Sequence, residues 1–387
     1  MRVLLASHNI VRGDGQGRVN YELARHLVRW GHSVTLLAAR VDADLAATPG
    51  ITWEYLPIRN DLTDLVGGLL WIPACTDFVR RSAERFDIVH LNGALGFVDH
   101  HVNTSHYVHA AFKEYLRQEP PVGLRGQYYR LLTLVNTVLE KPVYQRARCV
   151  VAVSPRTGRE LVEQVHLPTQ QVQVICNGVD PDEFFPDPQI RARVRRELAI
   201  PDDRMALLYV GEYAVPRKGL ATVLEALAGL PENIHLYVAG RGSTAPYAAL
   251  LAPVAQRVHF LGFRRDVADL FRAADAFVYP SRYDTFSLVL LEALASGLPV
   301  VTTLASGFGE LMTSGQHGFV IKDPFDVGAV RKAILRLHDE PDLAMTIAQA
   351  GRALAEQYSW EAMARRYLAL YEHLSTAVTP SEQTCKM

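Results

Sequence analysis

Short apolar runs that end in polar loops, each followed by a stretch of helical period, recur along the whole chain. The first run is "RVLLA" (2–6), followed by the glycine-rich "GDGQG". Next comes "RVNYELARHLVRWGH", in which Val19, Leu23, Leu27 and Trp30 repeat at helical spacing and Gly31 ends the pattern; "SVTLLAA" is the second run. Strand, helix and strand in that order make a βαβ unit, because parallel strands need a crossover long enough to hold a helix. "FDIVHLNG" (86–93), "CVVAVS" (149–154) and "VQVICNG" extend the same sheet. The alternation then starts again with "MALLYVGEY", "IHLYVAGRG", "RVHFLGF", "AFVYPS", "LPVVTT" and "GFVIKD", separated by helical stretches such as "GLATVLEALAGL".

The expected fold class is therefore α/β with two parallel-sheet domains, since 387 residues exceed what one ordinary core organises. The Pro- and Asp-rich "NGVDPDEFFPDPQ" (177–189) suits the junction. This divides the chain into 1–180 and 181–359, with an amphipathic helix in 360–375 and a disordered tail at 376–387.

A formal net charge of −1 argues against a dedicated nucleic-acid binder, and no stretch has the length of a transmembrane helix. The apolar run at the N-terminus is too short for a signal peptide. Cys75, Cys149, Cys176 and Cys385 are scattered without CxxC spacing, so neither disulfides nor zinc are expected and a cytoplasmic location is the default.

Two segments suggest anion binding. In "RYDTFSLVLLEALASGLPV" (282–300) a helix should start near Ser287, leaving the amides of Phe286, Ser287 and Leu288 free at the positive end of its dipole. Glu292 stands roughly 7.5 Å further along the axis. A nucleoside diphosphate fits that spacing, with a phosphate at the helix end and ribose hydroxyls on the carboxylate. Asp284, at the mouth, could meet the group beyond the phosphates. The plainer alternative makes Asp284 a helix-entry residue and pairs Glu292 with an arginine. The second segment is "GEYAVPRKGL" (211–220), where Lys218 is the only lysine between Lys141 and Lys322 in a chain that otherwise uses arginine. With Arg217 beside it on a loop after a strand, it suits diphosphate oxygens, or else it is a solvated basic loop.

Other patterns are weaker. "GDGQGR" (13–18) lacks the third glycine of a dinucleotide fingerprint, which speaks against NAD. The histidine-rich "DHHVNTSHYVHAAF" (99–112) offers His106 as an active-site hydrogen bonder, with His109 next, and His90, His100 and His101 nearby. "DAD" (42–44) and "DPD" (180–182) read as surface acids, so no metal is expected. The basic, aromatic segment 112–148 either packs on its own sheet or rests on an anionic membrane surface.

Taken together and in order, these motifs resemble the GT-B fold retaining glycosyltransferases of the glycosyltransferase family 4 type. The resemblance rests on "GQGRVNYELARHLVRWGHSV", "FDIVHLNG", "VAVSPRTGRELVE", "VICNGVDPDEFFPD", "VGEYAVPRKGL", "LYVAGRG", the long run "VHFLGFRRDVADLFRAADAFVYPSRYDTFSLVLLEALASGLPVV" and "YSW", and so spans nearly the whole length. It implies two Rossmann-like domains facing each other across a cleft, with the C-terminal helix crossing back to the N-terminal domain. It also implies metal-independent transfer of a hexose from a nucleotide-sugar substrate, with no cofactor. The acceptor would be a hydroxyl on a glycan or lipid-linked molecule, in cell-envelope or exopolysaccharide synthesis, with peripheral contact at the inner membrane face and no nucleic acid. The family's E-x7-E signature falls on Asp284 and Glu292, with Glu292 on the donor ribose. Phe286, Ser287 and Leu288 would hold the distal phosphate, and Arg217 and Lys218 the diphosphate. His106 would stand beside the transferred sugar, and Gly15 and Gly17 near phosphate and acceptor. Gly240 and Phe263 would lie near the nucleobase.

Three positions depart from the family pattern: Asp284 replaces a glutamate, Glu212 a common arginine and Ser287 a common glycine. The competing readings are a sugar-nucleotide-binding protein without transfer activity, or another GT-B enzyme such as an epimerase.

Overall fold

The computed structural model describes residues 1–58, 64–120 and 123–376. The expected disordered tail therefore lies, beyond Thr376, outside the described residues. The chain separates into two compact units: Met1–Asn177 together with the segment from Trp360, and Gly178–Ser359.

The sheet of the first unit is built from β1 (Arg2–Ala6), β2 (Ser33–Ala38), β3 (Ile51–Tyr55), β4 (Ile88–Asn92), β5 (His100–Ser105), β6 (Ala147–Ala152) and β7 (Val172–Val174). All pairs are parallel and the strand order is β3-β2-β1-β4-β5-β6-β7. The second unit holds β8 (Met205–Val210), β9 (Ile234–Ala239), β10 (Val258–Gly262), β11 (Ala276–Tyr279), β12 (Val300–Thr303) and β13 (Phe319–Ile321). Its order is β10-β9-β8-β11-β12-β13, again all parallel. Both sheets are covered on both faces, which is why their central strands read as nearly continuous apolar runs, interrupted at His90, Asn92 and His235. All residues of "IHLYVA" in β9 and of "IVHLN" in β4 are buried. In each unit the order reverses between its first and fourth strands, and ligands of open parallel sheets bind outside the strand ends at such a reversal.

The helices of the two units include α1 (Gly15–Arg29), α2 (Asp64–Ser82), α3 (His109–Gln118), α4 (Gly123–Tyr144), α5 (Leu220–Leu227), α6 (Leu288–Ala295) and α7 (Trp360–Thr376). The glycine loop differs from expectation. Gly15 is already the first residue of α1, and Gly17 packs so closely on the preceding chain that a Cβ would lie 2.7 Å from the Val11 carbonyl oxygen. The segment at 100–105, for which the sequence carried no strand expectation, is a full strand. Its polar side chains are buried in bonds to neighbours, a pattern that apolar periodicity does not register.

One such network ties α7 to the first unit. The buried His90 ring shares hydrogen bonds with Tyr371 Oη (2.6 Å) and Thr104 Oγ1 (2.7 Å), and Thr104 Oγ1 in turn meets Tyr367 Oη at 3.0 Å. Burial holds the imidazole far below its ordinary pKa, and so neutral.

Candidate functional site

In the second unit the strand reversal lies between β8 and β11, and the loops after these two strands are bound to each other. The loop after β8 runs through a turn at Pro216–Lys218 into Gly219, at φ 82°, where a Cβ would come 2.1 Å from the Pro280 carbonyl oxygen. Only glycine lets the two backbones approach so closely. The Arg217 carbonyl accepts from the Arg282 amide (2.7 Å) and Ser281 Oγ (3.1 Å), while its guanidinium donates to the Tyr283 carbonyl at 2.9 Å.

This stitching delivers Lys218 Nζ to 2.7 Å from Asp284 Oδ2, with the lysine side chain 20% and the aspartate 12% exposed. Tyr279 Oη donates to the same oxygen at 3.3 Å, and the Phe286 amide donates to Oδ1 at 3.3 Å. Burial by itself would raise the Asp284 carboxyl. The charges of Lys218 and Arg217 and the bonds it accepts outweigh that and hold it at about 2. Desolvation lowers the Lys218 ammonium, opposed by the same carboxylate.

Two sequence expectations change here. Asp284 is not an open acid at the mouth but half of a buried ion pair, since its short side chain meets the ammonium before reaching past the loop. The Phe286 amide, expected on a phosphate, is turned to that carboxylate. The helix N-terminus itself stands where expected. Ser287 caps α6 in the left-handed region at φ 72°, and its Oγ accepts from Ser306 Oγ at 3.0 Å. The backbone conformation accounts for the glycine that the family pattern has at this place. Along α6, Leu290, Leu291, Ala293, Leu294 and Ala295 are buried, whereas Leu288, Val289 and Glu292 form its half-buried stripe. The acid in an apolar helix thus lies on the open side, one turn below the N-terminal amides.

Of the remaining donor-side candidates, Gly240 has a packing role. At φ 149° it lies against Gly211, and a Cβ would come 1.9 Å from the Gly211 carbonyl oxygen. Phe263 is 55% exposed and carries the Arg241 guanidinium 4.2 Å from its ring centre. Glu212 is exposed.

In the first unit the reversal lies between β1 and β4, and polar groups gather there too. Asn92, the last residue of β4, donates from Nδ2 to the Ala6 carbonyl (3.0 Å), so its Oδ1 accepts from His106 Nε2 at 3.0 Å. His106 follows directly on β5, and burial pushes its pKa down to about 3. His106, His8, Gln16, Asn92, His109 and Glu140 line a pocket of roughly 260 Å³. The Glu140 carboxylate accepts from the His109 (2.5 Å) and Ala110 (3.0 Å) amides at the start of α3. Burial nevertheless raises it to about 8. Gly15 and Gly17 flank Gln16 on the first turn of α1.

Asn92, His8 and Glu140 were missed from sequence. Asn92 carried a signal, as the polar end of a strand in which His90 is the one other polar residue; Glu140 carried none, since its partners are 30 and 31 residues away. Among the described residues no three His, Cys, Asp or Glu side chains gather as metal ligands. The acids of 42–44 pair with Arg12 instead, and Asp180 caps its own turn by accepting from the Asp182 amide at 3.0 Å.

Residues 13–183 match the description "Glycosyltransferase Family 4", and residues 204–340 match "Glycosyl transferases group 1". The chain is a family 4 glycosyltransferase. Among curated relatives, a D-inositol 3-phosphate glycosyltransferase of Thermobispora bispora is 29% identical, covering 93% of this chain and 90% of its own. The lipopolysaccharide glucosyltransferase WaaG of Escherichia coli is 32% identical over 60% of this chain and 65% of its own. The solved structure of WaaG superposes with a TM-score of 0.77 at 22% identity, covering 97% of this chain and all of that one. A sucrose-phosphate synthase from Thermosynechococcus elongatus gives 0.78 at 22%, with 97% of this chain covered and 100% of that one. These two likenesses establish the GT-B fold.

The glycosyltransferase thus carries a cationic, amide-rich loop pair in one unit and a polar pocket of neutral imidazoles in the other. The first suits a leaving group that accumulates negative charge; the second suits hydroxyl groups.

Proposed function

We propose that the enzyme transfers a hexose, with retention at the anomeric carbon and without a metal ion, from a nucleoside-diphosphate sugar to a hydroxyl of a cell-envelope glycan or glycolipid. The observation that carries this reading is the meeting of Lys218, Arg217 and the N-terminus of α6 at the strand reversal of the second unit. HepE of Anabaena, a structural neighbour at a TM-score of 0.73 and 20% identity, has been solved with UDP-glucose, which agrees with a donor of this kind.

In this mechanism the diphosphate lies against Lys218 and Arg217, with its distal phosphate at the first-turn amides of α6. Fixed positive groups stabilise the charge that grows as the bond from the anomeric carbon to the phosphate oxygen breaks. They take the part a divalent cation would otherwise play. The acceptor oxygen attacks from the face the diphosphate leaves, and its proton passes to a departing phosphate oxygen. Glu292 accepts hydrogen bonds from the ribose hydroxyls; His106, neutral and oriented by Asn92, suits a sugar hydroxyl.

The outer face of α4 supports peripheral contact with an anionic membrane at the cytoplasmic side. Leu124, Leu131, Leu134 and Val138 are exposed there together with Arg130 and Lys141, and the one acid of the helix, Glu140, is buried. No helix among the described residues is long and apolar enough to cross a membrane.

The test is a thermal-shift screen of UDP, GDP and ADP sugars, followed by turnover of Lys218→Ala and Glu292→Ala. Specific donors raise the melting temperature by mass action. Loss of a transition-state donor lowers kcat about 10²- to 10³-fold. Near-normal turnover in either folded variant would refute the assignment.

A further inference from the structure

The turn that carries His106 is held from a helix elsewhere in the chain. Val108 caps α3 and brings no side-chain oxygen to the amides of its first turn. Glu140, near the end of α4, serves two of them: Oε1 accepts from the His109 amide and Oε2 from the Ala110 amide. A carboxylate on free first-turn amides is a helix cap, here made between two helices. One turn further along α4, on the same face, the buried Tyr144 donates from Oη to Ser105 Oγ (3.3 Å), which in turn donates to the Tyr107 carbonyl (3.1 Å). α4 thus pins the turn at both ends, at Ser105 where β5 stops and at His109 where α3 begins. His106 stands between the two anchors, its Nε2 on Asn92 Oδ1.

Glu140 is a destabilising choice for this joint. It is 1% exposed, and its bonds are to amides alone. Around it are His109 from α3, His106 from the turn, His8 from the end of β1 and Tyr144 from its own helix, all kept uncharged by burial. Glu160, on the helix Pro155–Glu163, adds repulsion although it pairs with Arg156 at 2.9 Å. No Lys or Arg is among the described residues that line the same pocket. Burial raises the carboxyl to about 8. A glutamine would fill the space without that penalty, but it offers one acceptor and turns its NH₂ toward the second amide. Only the ionised carboxylate serves both amides fully.

We infer that Glu140 is a positioning residue for transfer: ionised, and assisted by Tyr144, it locks the N-terminus of α3 and with it the turn that aims His106. The inference rests on the glycosyltransfer reading and adds a residue to it.

Stability and activity should move in opposite directions in Glu140→Gln. The folded carboxyl titrates at about 8, above its ordinary 4.5, so the parent enzyme loses stability as pH rises between those values and the variant does not. The variant should therefore melt above the parent at about pH 9. Turnover is read as release of nucleoside diphosphate from whichever UDP, GDP or ADP sugar most raises the melting temperature, with n-octyl hexosides as acceptors. The kcat of Glu140→Gln should lie within about threefold of the parent at about pH 6.5 and about tenfold below it at about pH 9, the size of one charge-assisted hydrogen bond. Affinity for nucleoside diphosphate should be unchanged, since Lys218, Arg217 and α6 are untouched. Tyr144→Phe, which leaves the carboxylate in place, should lower kcat several-fold at both pH values.

Hydrogen exchange of the intact enzyme gives a reading independent of activity. Against Glu140→Gln at the same pH, the amides of 106–110 in the parent should gain protection as pH passes about 8. The inference is overturned if the kcat ratio is the same at both pH values, if the variant loses stability and activity together, or if exchange at 106–110 is indifferent to the substitution. Should Glu140→Gln fail to fold, protection of these amides in the parent, corrected for intrinsic exchange, must still rise through about pH 8, and its constancy overturns the inference. Absence of turnover by the parent with every donor brings down the glycosyltransfer reading instead, while exchange still decides whether Glu140 holds the turn.

Discussion

Replacing Asp284 with asparagine keeps the shape of the side chain but removes the charge that faces Lys218 Nζ at 2.7 Å. The ammonium would then be buried without its counter-charge. The Asp284 carboxyl lies at about 2 against an ordinary 3.8, a shift worth roughly 2.5 kcal/mol of folded-state stability. Breaking a buried pair from one side costs about 3–5 kcal/mol when the remaining ion is fully enclosed. With both side chains slightly open, a loss of roughly 2–4 kcal/mol is expected for Asp284→Asn. A double-mutant cycle with Lys218→Met, read by urea unfolding, checks it: the double variant should be more stable than the additive sum, because it leaves no lone buried charge.

The pH dependence is a second check on the same pair. Since the folded carboxyl titrates below the unfolded one, its contribution is complete above pH 3.8 and disappears as pH falls through about 2. The stability gap between the parent enzyme and Asp284→Asn should therefore close between those values. A gap below about 0.5 kcal/mol at neutral pH, or singles that add without coupling, would refute the reasoning.

Gly219→Ala forces a Cβ toward the Pro280 carbonyl at a left-handed position, and should cost at least about 2 kcal/mol in chemical denaturation while weakening nucleotide binding by calorimetry. Ser287→Gly should be more stable than Ser287→Ala by about 1 kcal/mol, since both lose the bond from Ser306 and only glycine is at ease at φ 72°; equal unfolding midpoints would contradict this. Tyr371→Phe leaves a buried His90 nitrogen unpaired and should cost about 1–3 kcal/mol, seen as faster amide exchange in α7.

The apolar strands and the helices between them could be placed from sequence because their side chains face a core on both sides of a parallel sheet, and that burial leaves a period. β3 at the sheet edge was harder to read, since Trp53 and Tyr55 there are exposed. β5 escaped because its burial is met by polar bonding. Gly219 and Gly240 illustrate a different limit: each stands in a legible motif, but the reason for glycine is a backbone distance to Pro280 or Gly211 that no local pattern encodes.

By itself, then, the sequence determined the alternation of strands and helices, the parallel sheets, the start of α6, the place of Arg217 and Lys218 on the loop after one strand and that of Glu292 on the helix after another. These are consequences of local period and of residues close in the chain. That Asp284 serves Lys218 across 66 residues was decided only by the tertiary structure. So was the discharge of three histidines and Glu140 by burial in one pocket. Charge state and pairing depend on which groups share a low-dielectric space, and that is a property of the fold as a whole.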